Sequence, residues 1–169
     1  LDPVTIEELI QKGFLAPLSS KVTKTNYDLS GVHKRGGEFI ESELQAAVDT
    51  DENNDSVIRE VIALADGRKS WLFFCTGVHH AHAIAASLRR EGISAACVTG
   101  ETPKAEREQI LTDFKAGRIQ ALTNANVLTT GFDAPNIDLI AMLRPTMSAS
   151  LYVQMAGRGM RLKEHTDHC

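Results

Sequence analysis

Four short apolar runs separated by amphipathic helical patterns most constrain what residues 71–169 can fold into. The runs cover residues 71–75, 93–98, 119–123 and 137–143, and each is mostly apolar rather than alternating. A strand without a polar face is typical of a sheet that is buried on both sides, and strands that alternate with helices form parallel βαβ units. The sequence therefore predicts an α/β fold, an open parallel sheet with helices on both faces.

Helix boundary signals agree with this pattern. The helix after the first run carries Ala81, Ile84, Ala85 and Leu88 at helical spacing and is expected to end at Gly92. For the next helix, we expect the cap at residue 102, a proline at the first helical position and an end near residue 117. Both helices have the length that a parallel crossover needs.

Residues 1–70 show no catalytic constellation. Here we predict a helix capped by Thr5, an alternating strand over 22–29, a turn at 34–37, and helices over 38–49 and 56–65 separated by an acidic break at 51–55. We therefore expect 1–70 to be a mostly helical linker and lead-in packed on the core, and 71–169 to be the functional domain.

The distribution of charge restricts the kind of ligand surface. The formal net charge of the 169 residues is −4, but residues 1–70 hold 8 Lys/Arg against 13 Asp/Glu, and residues 71–169 hold 10 against 9. A nucleic-acid surface on the second part must therefore be a local lining of hydroxyls, amides and a few arginines. The sequence shows no apolar run of membrane-spanning length and no signal peptide, so we expect a cytoplasmic protein without membrane contact.

The cysteines Cys75, Cys97 and Cys169 have no paired spacing, and we predict that they are reduced thiols. Two histidine groups also occur, at 79–82 and 165–168. Neither has a second half at zinc-finger spacing, so we predict no metal site.

The segment 154–161 has the pattern of a polyanion-binding face. If it is helical, Gln154, Arg158 and Arg161 lie at i, i+4 and i+7 and line an amide and two guanidiniums on one side. Guanidiniums bind phosphate oxygens bidentately and are always charged. The alternative is a solvated basic helix end, where arginine is favoured by the helix dipole.

Hydroxyls and glycines follow each predicted strand at its carboxyl end, where open parallel sheets bind ligands. Neutral donors of this kind suit a nucleic-acid backbone that is held without sequence readout, and a helix cap is the alternative for any one of them. In the loop after the third strand, Asp133 either accepts hydrogen bonds from a ribose or from Arg158, or forms an Asx turn. The candidate nucleic-acid contacts are Thr76, Gly77, Thr99, Gly100, Thr129 and Thr130.

About 100 residues of the chain resemble the C-terminal RecA-like domain of a superfamily 2 helicase, with motifs in the family order. Residues 73–76 resemble motif IV, residues 98–101 resemble the segment that follows it, residues 128–133 resemble motif V, and Gln154-x-x-Gly157-Arg158-x-x-Arg161 resembles motif VI. The phrases at 129–135, 144–146 and 152–154 are most similar to RadD-like and restriction-enzyme-like DNA helicases. Thr99 departs from the family, where many members have His before the Gly.

The resemblance implies a role for each motif. Arg158 and Arg161 would be arginine fingers at the γ-phosphate of ATP, Gln154 would couple two lobes, and Gly131 and Asp133 would meet the nucleotide sugar and the cleft between the lobes. The six candidate nucleic-acid contacts would face phosphates. The partners implied are an N-terminal RecA-like lobe and nucleic acid, with DNA favoured over RNA.

The chain contains no phosphate-binding loop with Lys-Ser/Thr and no acidic box. ATP and Mg²⁺ are therefore expected only in a longer intact protein, and we expect this chain alone to bind neither and to be inactive. Two alternatives are a non-catalytic RecA-like scaffold that binds nucleic acid or a partner protein, and a complete small mononucleotide-binding enzyme.

Overall fold

A computed structural model describes residues 8, 11–12, 26–128 and 134–159. In chain order its elements are β1 (Lys34–Arg35), β2 (Glu38–Phe39), α1 (Glu41–Val48), α2 (Asp51–Leu64), β3 (Trp71–Phe74), α3 (Val78–Arg90), β4 (Ala95–Val98), α4 (Lys104–Lys115), β5 (Ala121–Asn124), β6 (Leu139–Met142) and α5 (Ala149–Gly157). All four strands predicted in residues 71–143 are present, each shorter than its apolar run by one to three residues.

Strands β3 to β6 form one parallel sheet in the order β4-β5-β3-β6. The central strand β3 is paired on both sides, with Phe74 in register with Asn124 on one side and with Met142 on the other. In-register parallel strands end at one edge, so the loops that follow all four strands emerge together there. We call this edge the carboxyl edge.

The sheet separates two apolar clusters. Trp71 and Phe73 belong to the first cluster, with buried residues of α2 and α3, whereas Leu72 and Phe74 belong to the second, with residues of α4 and α5. This alternation follows the strand period of two. Because helices cover both faces, every residue of β3 is buried, and the predicted RecA-like α/β architecture is confirmed.

The helix boundaries confirm most of the predicted signals. Gly92 and Gly117 follow α3 and α4 with φ of +80° and +81°, a conformation that glycine adopts without strain. Pro103 is the N-cap of α4 rather than its first residue. Thr102 instead accepts a hydrogen bond through Oγ1 from the Thr99 amide at 2.9 Å.

The predicted acidic break at 51–55 is wrong. This stretch is the first turn of α2, where Asp51 and Glu52 face the positive end of the helix dipole. Thr50 caps the helix and accepts a hydrogen bond from the Asn53 amide through Oγ1 at 3.1 Å. The negative charges therefore belong to the start of α2, whereas we expected them to lie in a break between two helices.

The remaining predictions for 1–70 are only partly covered by the described residues. The turn at 34–37 is present as the β1–β2 hairpin, with positive φ at Gly36 and Gly37. Residues 26–29 of the predicted strand 22–29 form no strand, and most of the helix predicted after Thr5 lies outside the described residues. The boundary at residue 70 stays a prediction.

Two further observations concern the described part of the chain. Cys75 and Cys97 are buried free thiols, and burial raises the pKa of both, whereas Cys169 lies outside the described residues. Among the described helices, none has the length and apolar character needed to cross a membrane.

Asp138 fixes the start of the sheet. Its side chain is fully buried and accepts hydrogen bonds from the backbone amides of Lys69 and Ser70, each at 2.8 Å. Its own amide donates to the Ser70 carbonyl at 3.0 Å. The carboxylate therefore joins the residues before β6 to those before β3, across 68 positions of sequence.

We predict that Asp138→Ala lowers the free energy of unfolding by about 3 kcal/mol, because two backbone donors lose their acceptor. Asp138→Asn retains one acceptor oxygen and should cost less. Urea denaturation followed by circular dichroism measures both. Asp66→Ala, at an exposed turn, is the control, and an equal loss in this variant would contradict the assignment.

Candidate functional site at the carboxyl edge

Thr76 lies directly after β3, and a buried histidine holds it in place. Nδ1 of His80 accepts a hydrogen bond from the Thr76 amide at 3.0 Å and lies 2.9 Å from Thr76 Oγ1. An amide can only donate, so Nδ1 is unprotonated and the hydroxyl donates to it as well. Both side chains are fully buried, and Thr76 therefore directs its donors into the protein.

The electrostatics of His80 follow from this burial, which lowers its pKa to about 4. The second ring nitrogen, Nε2, is buried and has no hydrogen-bond partner among the residues that the structure describes. His80 is therefore a neutral structural group that orders the start of α3. The sequence placed it in a histidine cluster without indicating this role.

Thr99 is also buried, and Gly100 is the exposed member of the loop after β4. The Thr99 hydroxyl accepts a hydrogen bond from the Glu101 amide at 3.2 Å. A Cβ added at Gly100 would meet no atom within 4 Å, so the backbone here is open to a ligand. The exposed donors of this loop are therefore around Gly100 rather than on Thr99.

Asn124, at the end of β5, organises the loop that follows. Its Nδ2 donates to the Phe73 carbonyl at 2.9 Å and its Oδ1 accepts from the Leu128 amide at 3.3 Å. Leu128 and Ala134, which flank residues 129–133, are both buried in the second apolar cluster. Both ends of the motif V segment are thus anchored, although Thr129, Thr130, Gly131 and Asp133 lie outside the described residues.

The C-terminal helix α5 rests on the same cluster. Met155 is 1% exposed and Leu151 is half-buried against its neighbours, while Gln154 is exposed. The helix ends earlier than the predicted i, i+4, i+7 arrangement requires, because Arg158 is its C-cap. Arg158 is half-buried, and its amide donates to the Met155 carbonyl at 3.2 Å. Gln154 and Arg158 remain one turn apart, and Arg161 lies outside the described residues.

Side chains from residues 38–49, which we call the front segment, contact this edge. The Glu38 carboxylate accepts hydrogen bonds from the Thr146 hydroxyl and from the Met147 amide, the latter at 2.9 Å. Glu41 accepts a hydrogen bond at 3.1 Å from Nδ2 of Asn126, a residue with φ of +62°. No sequence pattern predicted these contacts, which join residues 85 to 109 positions apart.

The front segment also covers the start of α3. Gln45 Oε1 accepts a hydrogen bond from the His80 amide at 3.2 Å. The side-chain amide of Gln45 also lies so close to Gly77 that a Cβ at position 77 would overlap it. Gly77 is therefore buried beneath the Gln45 side chain, and α3, which has no side-chain cap of its own, receives one from α1.

His79 and Asp49 form the last contact between the front segment and α3. Asp49 accepts hydrogen bonds from His79 Nδ1 and from Asn54 Nδ2, the latter at 2.8 Å. Hydrogen bonding and charge from Asp49 raise the pKa of His79, while these bonds outweigh burial and lower the pKa of Asp49. The pair joins an exposed histidine to a buried carboxylate.

A family model described as the helicase conserved C-terminal domain matches residues 53–163. The chain belongs to this family. Its match begins within α2 and continues past α5, so it includes the whole parallel sheet. The family and the parallel sheet identify the chain as the C-terminal RecA-like lobe of a superfamily 2 helicase.

Named relatives and solved structures agree with this assignment. The putative ATP-dependent helicase IRC3 of Saccharomyces cerevisiae is 34% identical over 166 residues, 97% of this chain and 24% of that protein. A putative HsdR subunit of a type I restriction enzyme from Vibrio vulnificus superposes with a TM-score of 0.65 at 24% identity, covering 92% of this chain and 31% of that one. The C-terminal domain of the DEAD-box protein Dbp5 gives 0.58 at 22% identity, covering 70% and 68%.

Each comparison bears on a different point. At these identities the two structures show the fold alone. The helicase C-terminal domain described here spans about a quarter of the length of the IRC3 relative. The residues assigned to nucleotide and nucleic acid stay predictions.

We predict that His80 makes the stability of this helicase lobe depend on pH. Its pKa is about 4 when folded and 6.5 in an unperturbed chain, so the unfolded state binds more protons between these values. The stabilisation is complete above pH 6.5 and is lost as the pH falls towards 4. Between pH 7 and 5, the free energy of unfolding should fall by about 2 kcal/mol more in the wild type than in His80→Asn.

Asparagine is chosen because its side-chain oxygen can replace Nδ1 as the acceptor for Thr76. His82→Asn changes an exposed histidine of the same helix and is the control. Denaturant unfolding at several pH values measures the difference. Parallel curves for the wild type and His80→Asn would contradict the assignment.

Proposed function

We propose that the intact protein is an ATP-dependent nucleic-acid helicase or translocase, in which this lobe supplies arginine fingers and part of the strand-binding edge. One observation carries the proposal. The second apolar cluster holds both flanks of residues 129–133, through Leu128 and Ala134, together with the buried side of α5, through Met155. The residues that flank 129–133 and the described part of α5 therefore pack against one core.

The nucleotide would bind between this lobe and an N-terminal lobe. Arg158 and Arg161 would stabilise the charge that develops on the transferred phosphoryl group, and Gln154 would report the state of the site to the other lobe. Gly131 and Asp133 would contact the sugar and the cleft. The phosphate loop and the carboxylate that holds Mg²⁺ would come from the N-terminal lobe. Closing the two lobes assembles the site, which links ATP turnover to movement of the strand.

The strand would follow the carboxyl edge. Gly100 presents open backbone there, and Thr129 and Thr130 belong to the segment anchored by Leu128 and Ala134. Thr76, Gly77 and Thr99 are buried in the described conformation, so they would support the loops unless the edge rearranges. We favour DNA because motifs V and VI are most similar to the RadD-like and restriction-enzyme-like helicases.

In the intact protein, we predict that Arg161→Ala lowers the rate of ATP turnover by about a thousandfold with a modest loss of ATP binding, because a finger acts mainly on the transition state. Arg161→Lys should be almost as slow, since a lysine has no bidentate fork. Arg59→Ala, on the exposed side of α2, is the matched control. Turnover of Arg161→Ala within tenfold of the wild type would reject the finger.

The choice of strand has its own test. We expect a single-stranded DNA oligonucleotide to stimulate ATP hydrolysis by the intact protein at lower concentration than an RNA of the same sequence. Thr129→Ala together with Thr130→Ala should raise that concentration by about tenfold, because two backbone contacts are lost. Stronger stimulation by RNA would overturn the DNA assignment, and stimulation by neither would favour the non-catalytic scaffold.

A further inference from the structure

Three oxygen-bearing side chains of the front segment reach three different loops of the carboxyl edge. Glu38 contacts the loop after β6, Glu41 contacts the loop after β5, and Gln45 contacts the start of α3 after β3. Glu41 and Gln45 lie one turn apart on α1 and face one side of it, whereas Glu38 belongs to β2 and reaches the edge from the hairpin before the helix. The front segment therefore lies across the edge where the proposed strand would bind.

The chemistry of these contacts resembles the way in which a protein holds a phosphate backbone. In each case the front segment provides the acceptor oxygen, and the edge provides a hydroxyl, a side-chain amide or a backbone N–H. These are the neutral donors that bind phosphate oxygens without reading bases. Although burial acts in the opposite direction, hydrogen bonds from Thr146, Met147 and Phe39 and the charge of Arg144 lower the pKa of Glu38, which keeps it anionic like a phosphate.

Helix α1 packs outside the two core clusters. Leu44 and Val48 are its buried residues, and neither belongs to the two clusters that form the core on either side of the sheet. A cleft of about 660 Å³ opens between α1 and the start of α3. Residues of α1 on one side and of the start of α3 on the other line it: Glu41, Ser42, Gln45, Gly77, Val78, His79 and His82. Helix α1 is therefore held by two buried apolar side chains and by its polar contacts, and it adds no residue to either core cluster.

The next helix marks where a movement would end. Val57 and Ile58 of α2 belong to the first core cluster, and Asp49 is held by both His79 and Asn54. Helix α2 is thus fixed to the core, whereas α1 before Asp49 contributes no residue to either core cluster. A hinge at Asp49–Thr50 would release α1 without unfolding the core.

We propose that the front segment is an internal competitor of the nucleic-acid backbone, which occupies with Glu38, Glu41 and Gln45 the donors that a strand would otherwise contact. Strand binding then requires α1 to leave the edge, and Gly77 beneath Gln45 becomes accessible when it does. Because only molecules with an open edge bind the strand, the apparent affinity equals the intrinsic affinity multiplied by the fraction of molecules in which the edge is open. This inference rests on the proposed strand-binding function.

The test compares two pairs of substitutions in the intact protein. Glu38→Ala with Glu41→Ala removes two of the competing groups, and Asp66→Ala with Glu91→Ala removes the same charge from two exposed positions that precede β3 and β4, at the opposite end of the sheet. Binding of oligo(dT) and of oligo(U), each about 20 nucleotides long, is measured by fluorescence anisotropy. We expect about tenfold tighter binding for the first pair and less than about threefold for the control pair, which reports the general effect of charge.

A second measurement does not depend on the variants being stable. In wild-type protein, adding the oligonucleotide should speed amide hydrogen exchange within Glu41–Val48, while exchange in Trp71–Phe74 remains unchanged. A merely structural contact would leave exchange in α1 unchanged or slow it, and either result would overturn the competitor.

The outcomes separate the two proposals. If wild-type protein binds the oligonucleotide but both pairs of substitutions behave alike, the competitor is rejected and the strand-binding function stands. If no form binds the oligonucleotide and none is stimulated by it, the strand-binding function fails, and the competitor fails with it.

Discussion

In-register parallel pairing on both sides of β3 is the constraint on which the rest of the structure depends. Trp71–Phe74 is paired along its whole length with β5 and β6, so the loops after these strands emerge at one level. The same strand sends alternate side chains to the two apolar clusters. A defect in this strand would therefore disturb the core on both faces and the candidate site together.

Much of the fold is predictable because the core positions are local in sequence. Continuous apolar runs indicate buried strands, and Gly92 and Gly117 end helices for a conformational reason that depends on no distant residue. The prediction failed at 51–55, where acidic residues were interpreted as a break although they stabilise the first turn of α2. Composition alone does not distinguish an acidic break from an acidic first helical turn, because a helix begins there only if a capping residue precedes the charges.

The candidate site was predictable to a smaller extent. Motif spacing indicated the helix that carries Gln154 and Arg158, but α5 ends before Arg158 rather than continuing beyond it. The contact of Thr76 with His80 is local, but the burial of both side chains depends on the surrounding helices and strands. The contacts of Glu38 with Thr146 and Met147 span 108 and 109 positions, and a single sequence carries no signal for pairing across such distances. The site residues were thus indicated by type, whereas their accessibility depends on packing.

The partition of the helices between the two faces limits how this lobe can transmit a signal. Helix α3, which begins at the carboxyl edge, packs on one face, and α5, which carries Gln154, packs on the other. Between them lies a single layer of closely packed strands, which resists bending. In the proposed helicase, communication between nucleotide and strand would therefore pass around the rim of the sheet through its loops, so that loop stiffness rather than the interior would govern the efficiency of coupling.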